Sequence, residues 1–145
     1  MLVMDPNLQA LHHQALQRQA RKLVDDFDEL KAAQNAARRG LSQRDIAVLL
    51  ETSQAKVHRL LKAVERRGGN LEAGPEEIAL RAFAYDTSRS DLVQTLKKFP
   101  YTDAQDAPYP HEGRIPGTWD QVVTAWAKGL LSDEEFEEIK GAIDR

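Results

Sequence analysis

The chain contains no cysteine, which excludes a disulfide scaffold, a thiolate metal site and a cysteine nucleophile. Aromatic residues make up only 6% of its 145 positions while 30% are charged, a balance closer to a helical protein than to a sheet-rich one. No stretch approaches the roughly 20 apolar residues that span a bilayer. Residues 1–14 lack the basic segment and long apolar run of a secretory leader. These absences lead to the expectation of a soluble, cytoplasmic protein without membrane contact. Glycine and proline are missing between Pro6 and Gly40, so nothing there breaks a helix.

What is present is a core-forming share of apolar residues, 41%, in a chain long enough for one compact domain or two very small ones. The formal charge of −3 hides an asymmetry. Residues 18–67 carry 12 Lys and Arg against 7 Asp and Glu, a net of +5. Residues 68–145 carry 8 against 15, a net of −7. A basic half joined to an acidic half suggests a polyanion partner for the first and a different partner for the second.

Asp5 and Pro6 read as a helix start, with Asp as the N-cap and Pro at the first helical position. One long helix or two consecutive ones follow to Arg39. Leu23, Phe27 and Leu30 are expected to face a core, and Leu8, Leu11, Ala15 and Leu16 make a weaker stripe. Arg18 and Lys22 interrupt that stripe, so it is not a coiled-coil heptad. Gly40 supplies a left-handed helix end. Ser42, with Asp45 three positions on, opens the next helix, whose expected apolar face is Ile46, Ala47, Leu49 and Leu50. Glu51-Thr52-Ser53 interrupts it, and Val57, Leu60, Leu61 and Val64 form the face of a third helix reaching Arg67.

Residues 68–75, rich in glycine and closed by Pro75, read as a linker. Beyond it, Ile78, Leu80, Ala82 and Phe83 mark a short buried helix, and Ser88 with Asp91 starts another carried by Leu92, Val93 and Leu96. Residues 100–117 hold four of the six prolines and read as an extended loop in which Tyr101, Tyr109 and Ile115 pack down. Thr118 with Gln121 and Ser132 with Glu135 are expected capping boxes for two last helices. Trp119, Val122, Val123 and Trp126 belong to one, and Phe136, Ile139 and Ile143 to the other. No alternating strand pattern occurs, so the expected fold is all-α.

Residues 41–67, LSQRDIAVLLETSQAKVHRLLKAVERR, carry the chemistry. Two helices crossing steeply need a small residue at the crossing, a short turn, and an aliphatic residue on the inner face of the second helix. Ala47, Glu51-Thr52-Ser53, Val57 and Leu60 meet these needs in order. This spacing resembles the DNA-binding helix-turn-helix of many bacterial regulators and of the last region of sigma factors. The resemblance covers about 27 residues, or about 45 with the supporting helix from Leu23 to Arg39. Family members usually carry Gly at the turn position held here by Glu51, because the chain is often left-handed there.

The resemblance implies a trihelical DNA-binding domain over residues 1–67, a linker over 68–75, and an acidic helical dimerisation or partner-binding region over 76–145. Ser53, Gln54, Lys56, His58, Arg59 and Lys62 fall on the outward side of the proposed recognition helix. There Gln54 suits adenine, Arg59 suits guanine, and Lys56 and Lys62 suit phosphates. Ser42, Gln43 and Arg44 stand at a helix start suited to a phosphate. One such motif covers half a site, so specific operators require two copies and a homodimer is expected.

Other tempting groups carry little. His12 and His13 point about 100° apart on a helix and cannot share a metal. Asp25, Asp26, Asp28 and Glu29, and the run from Asp133 to Glu138, have the spacing of solvated helix faces. No Gly-rich phosphate loop and no nucleophile with a base at recognisable spacing occur. The expectation is therefore a non-enzymatic protein without metal or cofactor.

The acidic half also resembles a known segment. Ser88-Arg89, Leu92, Leu96, Pro100-Tyr101, Gly117-Thr118-Trp119-Asp120 and Gly129-Leu130 stand as in a helical segment that follows helix-turn-helix domains in small actinobacterial and phage-type proteins. Several of those proteins are read as antitoxins or small regulators, which implies a protein partner. Two functions follow as expectations. One is a sequence-specific transcriptional regulator acting as a repressor. The other is an antitoxin that neutralises a protein toxin through its C-terminal region, where Trp119, Trp126 and Phe136 are candidate contacts, and represses its own operon.

Overall fold

The computed structural model describes residues 2–102 and 118–143. These form seven helices: α1 (Pro6–Arg38), α2 (Gln43–Leu49), α3 (Gln54–Arg66), α4 (Pro75–Tyr85), α5 (Arg89–Lys98), α6 (Trp119–Ala127) and α7 (Asp133–Ile143). Among the described residues the sole β-type pairing is an isolated bridge between Thr102 and Thr118, so the architecture is all-helical as expected. Among the same residues, no helix is long and apolar enough to cross a membrane. Tyr109 and Ile115 lie outside the described residues.

The described residues divide into two compact units: residues 25–72, and residues 2–24 with 73–102 and 118–143. The end of the first unit at Glu72 falls inside the expected linker. The other division falls within α1, which is a single 33-residue helix rather than two. Residues 2–24 group with the acidic half because their polar side chains satisfy the end of α4, as the contacts of Gln17 and Arg21 show.

The unit of residues 25–72 is built around Ala36, Ile46, Ala47 and Val57, with Ala37, Leu41, Leu50 and Leu61 packed against them. The three helices are punctuated by local chemistry. Gly40, at φ +85°, ends α1 in a left-handed turn closed by Leu41 N–H on the Ala36 carbonyl at 3.3 Å. Ser42 caps α2, its Oγ accepting from Asp45 N–H at 3.1 Å, and Ser53 caps α3 by accepting from Lys56 N–H at 3.1 Å. Gly68 and Gly69, at φ +67° and +76°, stop α3. The Gly69 carbonyl then accepts from Gln34 Nε2 at 2.6 Å, which fixes the chain leaving α3 onto α1. Arg67 lies 5.5 Å over the Phe27 ring.

In the other unit α4 packs on α5 and α6, α5 on α7, and α6 on α7. Ala79, Leu80, Leu92, Val93, Leu96, Val122, Ala125, Phe136 and Ile139 are buried between them. α4 ends on Asp86, a non-glycine residue at φ +50°. Buried Gln17 of α1 donates its Nε2 to the Phe83 carbonyl at 3.2 Å and to Asp86 Oδ1 at 2.8 Å. Arg21 donates to the Ala84 carbonyl at 2.9 Å and lies over the Tyr85 ring. These contacts use carbonyls that the last turn of any helix leaves unpaired. Arg89 grips α7 through two bonds to Glu135, at 2.6 and 2.9 Å, and holds the turn before α7 through a third to the Leu130 carbonyl at 2.8 Å.

Three local expectations are corrected. The buried face of α1 runs through Gln17, Ala20, Val24, Leu30, Ala33 and Ala36, whereas Leu23 is half exposed. Leu49 turns outward at 61% exposure, beside Val48 at 75%. Thr118 stands before α6 but makes no side-chain cap, and its buried Oγ1 has no partner among the described residues. Gln121 turns its side chain to Glu76 N–H instead, at 3.4 Å. The Ser132 and Glu135 pair does close a reciprocal capping box, at 2.8 and 3.1 Å.

Candidate nucleic-acid interface

The connection between α2 and α3 is four residues long, from Leu50 to Ser53. Leu50 keeps the last helical bond, its N–H donating to the Ile46 carbonyl at 2.9 Å. Glu51 then takes φ +52°, the left-handed conformation that glycine adopts without side-chain penalty. Glu51 N–H reaches the Val48 carbonyl at 3.3 Å and Thr52 N–H reaches the Ala47 carbonyl at 2.9 Å. This bond pattern is a Schellman helix end. It reverses the chain within three residues and delivers Ser53 as the cap of α3. Ala47 and Val57 then share one core cluster, where the small side chain of Ala47 admits the second helix.

The inner face of α3 is set by Val57 and Val64, both buried. With about 3.6 residues per turn the opposite side carries Ala55, Arg59, Lys62 and Arg66, flanked by Gln54 and His58. All six are exposed. Ser42, Gln43, Arg44 and Ser53 are exposed as well. The two serine hydroxyls accept cap bonds, and each keeps an O–H to donate.

Lys56 sits differently: its Nζ is 3.0 Å from Glu29 Oε1 on α1, so its charge is partly neutralised within the unit. Lys62 pairs loosely with Glu65 at 3.5 Å, an exposed contact worth little in water and easily exchanged for a phosphate. Two positions outside the sequence reading join the outward ridge, Ala55 and Arg66. The Arg59, Lys62, Arg66 spacing of i, i+3, i+7 marks Arg66. Ala55 carries no charge and leaves no such signal.

The aromatic residues singled out for partner binding converge in the acidic unit. Tyr101, Trp119, Phe136 and Trp126 form a continuous ring series, with centroids 5.4, 5.8 and 4.5 Å apart in turn. Tyr101 donates its hydroxyl to the Leu96 carbonyl at 2.6 Å, and burial raises its phenol above the ordinary value. Phe136 is buried and Trp119 half-buried. Trp126 stacks nearly parallel on Phe136, donates its indole N–H to Asp133 Oδ1 at 2.7 Å, and stays 38% exposed. Two of the three rings thus belong mainly to the local core, and Trp126 alone turns a substantial surface outward.

Among the described residues no group of three or more His, Asp or Glu is placed to hold a metal ion. Comparison of the chain with protein-family models, with curated proteins and with solved structures finds no match.

Proposed function

We propose that residues 25–72 form a helix-turn-helix DNA-binding module and that the chain is a sequence-specific transcriptional regulator acting as a repressor. The observation that carries this reading is the left-handed Glu51, held between a closed α2 end and the Ser53 cap of α3. A left-handed helix end is common by itself, and α4 has one at Asp86; what favours the motif is its combination with the four-residue turn and with Ala47 and Val57 in one core cluster. The turn is followed by a helix whose outward ridge is Arg59, Lys62 and Arg66, with Gln54 and Ser53 at its start. In this reading Gln54 and Arg59 read base edges in the major groove, Lys62 and Arg66 bind phosphates, and Ser42, Gln43 and Arg44 hold the backbone beside them. Lys56 contributes chiefly by bracing α3 against Glu29.

Selection of duplexes from a randomised pool by the full chain tests this reading. Enrichment of a defined sequence is expected; a bound pool indistinguishable from the input contradicts it.

A second reading, favoured by the exposed indole of Trp126 on the acidic unit, is an antitoxin whose C-terminal region binds a protein toxin. It predicts co-purification with the product of an adjacent gene, and loss of that association in Trp126→Ala. Failure to protect cells from that product removes the reading.

A further inference from the structure

Asp25, Asp26 and Asp28 are exposed on α1, whereas Glu29 beside them is half-buried. Glu29 Oε1 lies 3.0 Å from Lys56 Nζ on α3, the two side chains being 26 and 44% exposed. Lys56 is the single Lys or Arg in the first turn of α3, Gln54 to Val57. At about 100° per residue it stands about 60° around the helix from Arg59, on the flank of the outward ridge that meets α1. A recognition helix enters the major groove by its N-terminal residues, between the two phosphate backbones. The cation nearest that entrance is thus the one already held by a carboxylate from α1. Lys62 differs, because its partner Glu65 is 3.5 Å away and 73% exposed, and water replaces the lysine readily. Glu29 has less water to replace Lys56. A phosphate that takes Lys56 leaves this carboxylate unpaired beside a polyanion.

We propose that Glu29 is a positioning residue of the α3 surface: by holding Lys56 it withholds one phosphate contact and limits the sequence-independent grip of the chain on DNA. Gln54 and Arg59 are left to discriminate between sequences, and Lys62 and Arg66 to supply the backbone contacts. The inference rests on the DNA-binding reading and deepens it, since an acidic residue outside the turn then governs affinity. Lys56 freed from Glu29 displaces about one further counterion from the duplex. That raises affinity for every sequence and steepens its dependence on salt.

Fluorescence anisotropy of the full chain on a selected duplex and a scrambled one, over a series of salt concentrations, tests the proposal, with circular dichroism confirming that each variant stays helical. Glu29→Gln keeps the shape of the side chain and removes its charge. It is expected to tighten binding to both duplexes by about three- to tenfold near 0.1 M salt and to raise the salt slope by about 1. In a Lys56→Gln background the same change leaves the slope where it was, because the cation to be released is gone. Weaker or unchanged binding in Glu29→Gln overturns the proposal and leaves the pair a brace. An equal rise of slope in the Lys56→Gln background also overturns it, since the effect is then general removal of negative charge. A chain that selects its duplex and gives either result loses this inference alone. A chain that binds both duplexes equally, yet tightens in Glu29→Gln through Lys56, keeps the inference and loses the regulator reading; one that binds neither duplex loses both.

Discussion

Gln17 on α1 donates its side-chain amide to Asp86 Oδ1 at 2.8 Å, joining the middle of the longest helix to the left-handed residue that ends α4. The same amide also donates to the Phe83 carbonyl at 3.2 Å. A polar side chain with 7% exposure is tolerated because both its donors are used.

Gln17→Ala therefore leaves a part-buried carbonyl and a carboxylate without their donor. It is expected to destabilise the chain by about 1–3 kcal/mol, read from the midpoint of urea unfolding. The neighbouring Arg18 is exposed, so Arg18→Ala serves as the control and is expected to have little effect.

Glu51 occupies the left-handed region without the advantage of glycine. Glu51→Gly is expected to stabilise the chain by up to about 1 kcal/mol, relief of side-chain strain being partly offset by a more flexible unfolded chain. Glu51→Val is expected to destabilise it, because a β-branched residue resists that conformation more strongly. Thermal or urea unfolding of the two variants checks the opposite signs.

The Arg89 guanidinium, through its hydrogen bonds, holds the Glu135 carboxyl below its ordinary value of 4.5. Burial opposes this shift, and the Ser132 N–H and hydroxyl add to it. A carboxyl whose folded value is lowered contributes stability that is complete above the unfolded value. That contribution fades as pH falls from there through the folded value. The stability of Glu135→Gln is thus expected to fall less steeply below pH 4.5 than that of the unaltered chain. Urea unfolding at a series of pH values measures this, and Arg89→Gln is expected to move the carboxyl titration back upward by NMR.

Much of this architecture is legible residue by residue because its signals are local. Asp5, Ser42, Ser88 and Ser132 cap the helices they precede. Gly40 takes the left-handed end expected of it. The side of α1 that faces inward is hidden in the sequence for a physical reason. Its buried positions are mostly alanines and a glutamine, which add little to an apolar pattern, whereas the leucines that dominate that pattern lie on the outer side. The same weighting makes Leu49 look internal. Thr118 matches a capping pattern, yet Gln121 is drawn to Glu76 N–H, a partner from 45 residues away that no local rule contains. In the candidate interface, the outward residues follow from helical spacing alone. The Lys56 pairing with Glu29 depends on how α1 passes α3.

Fluorescence anisotropy on a selected duplex and its scrambled counterpart measures whether the outward ridge of α3 reads DNA. Tighter binding to the selected duplex, weakening steeply with salt, is expected. Arg59→Ala is expected to lose about 1–3 kcal/mol on the selected duplex and little on the scrambled one, while Lys62→Ala weakens both and lowers the salt slope by about 1. Equal affinity for the two duplexes, or an Arg59→Ala variant that binds the selected duplex as the unaltered chain does, would contradict it.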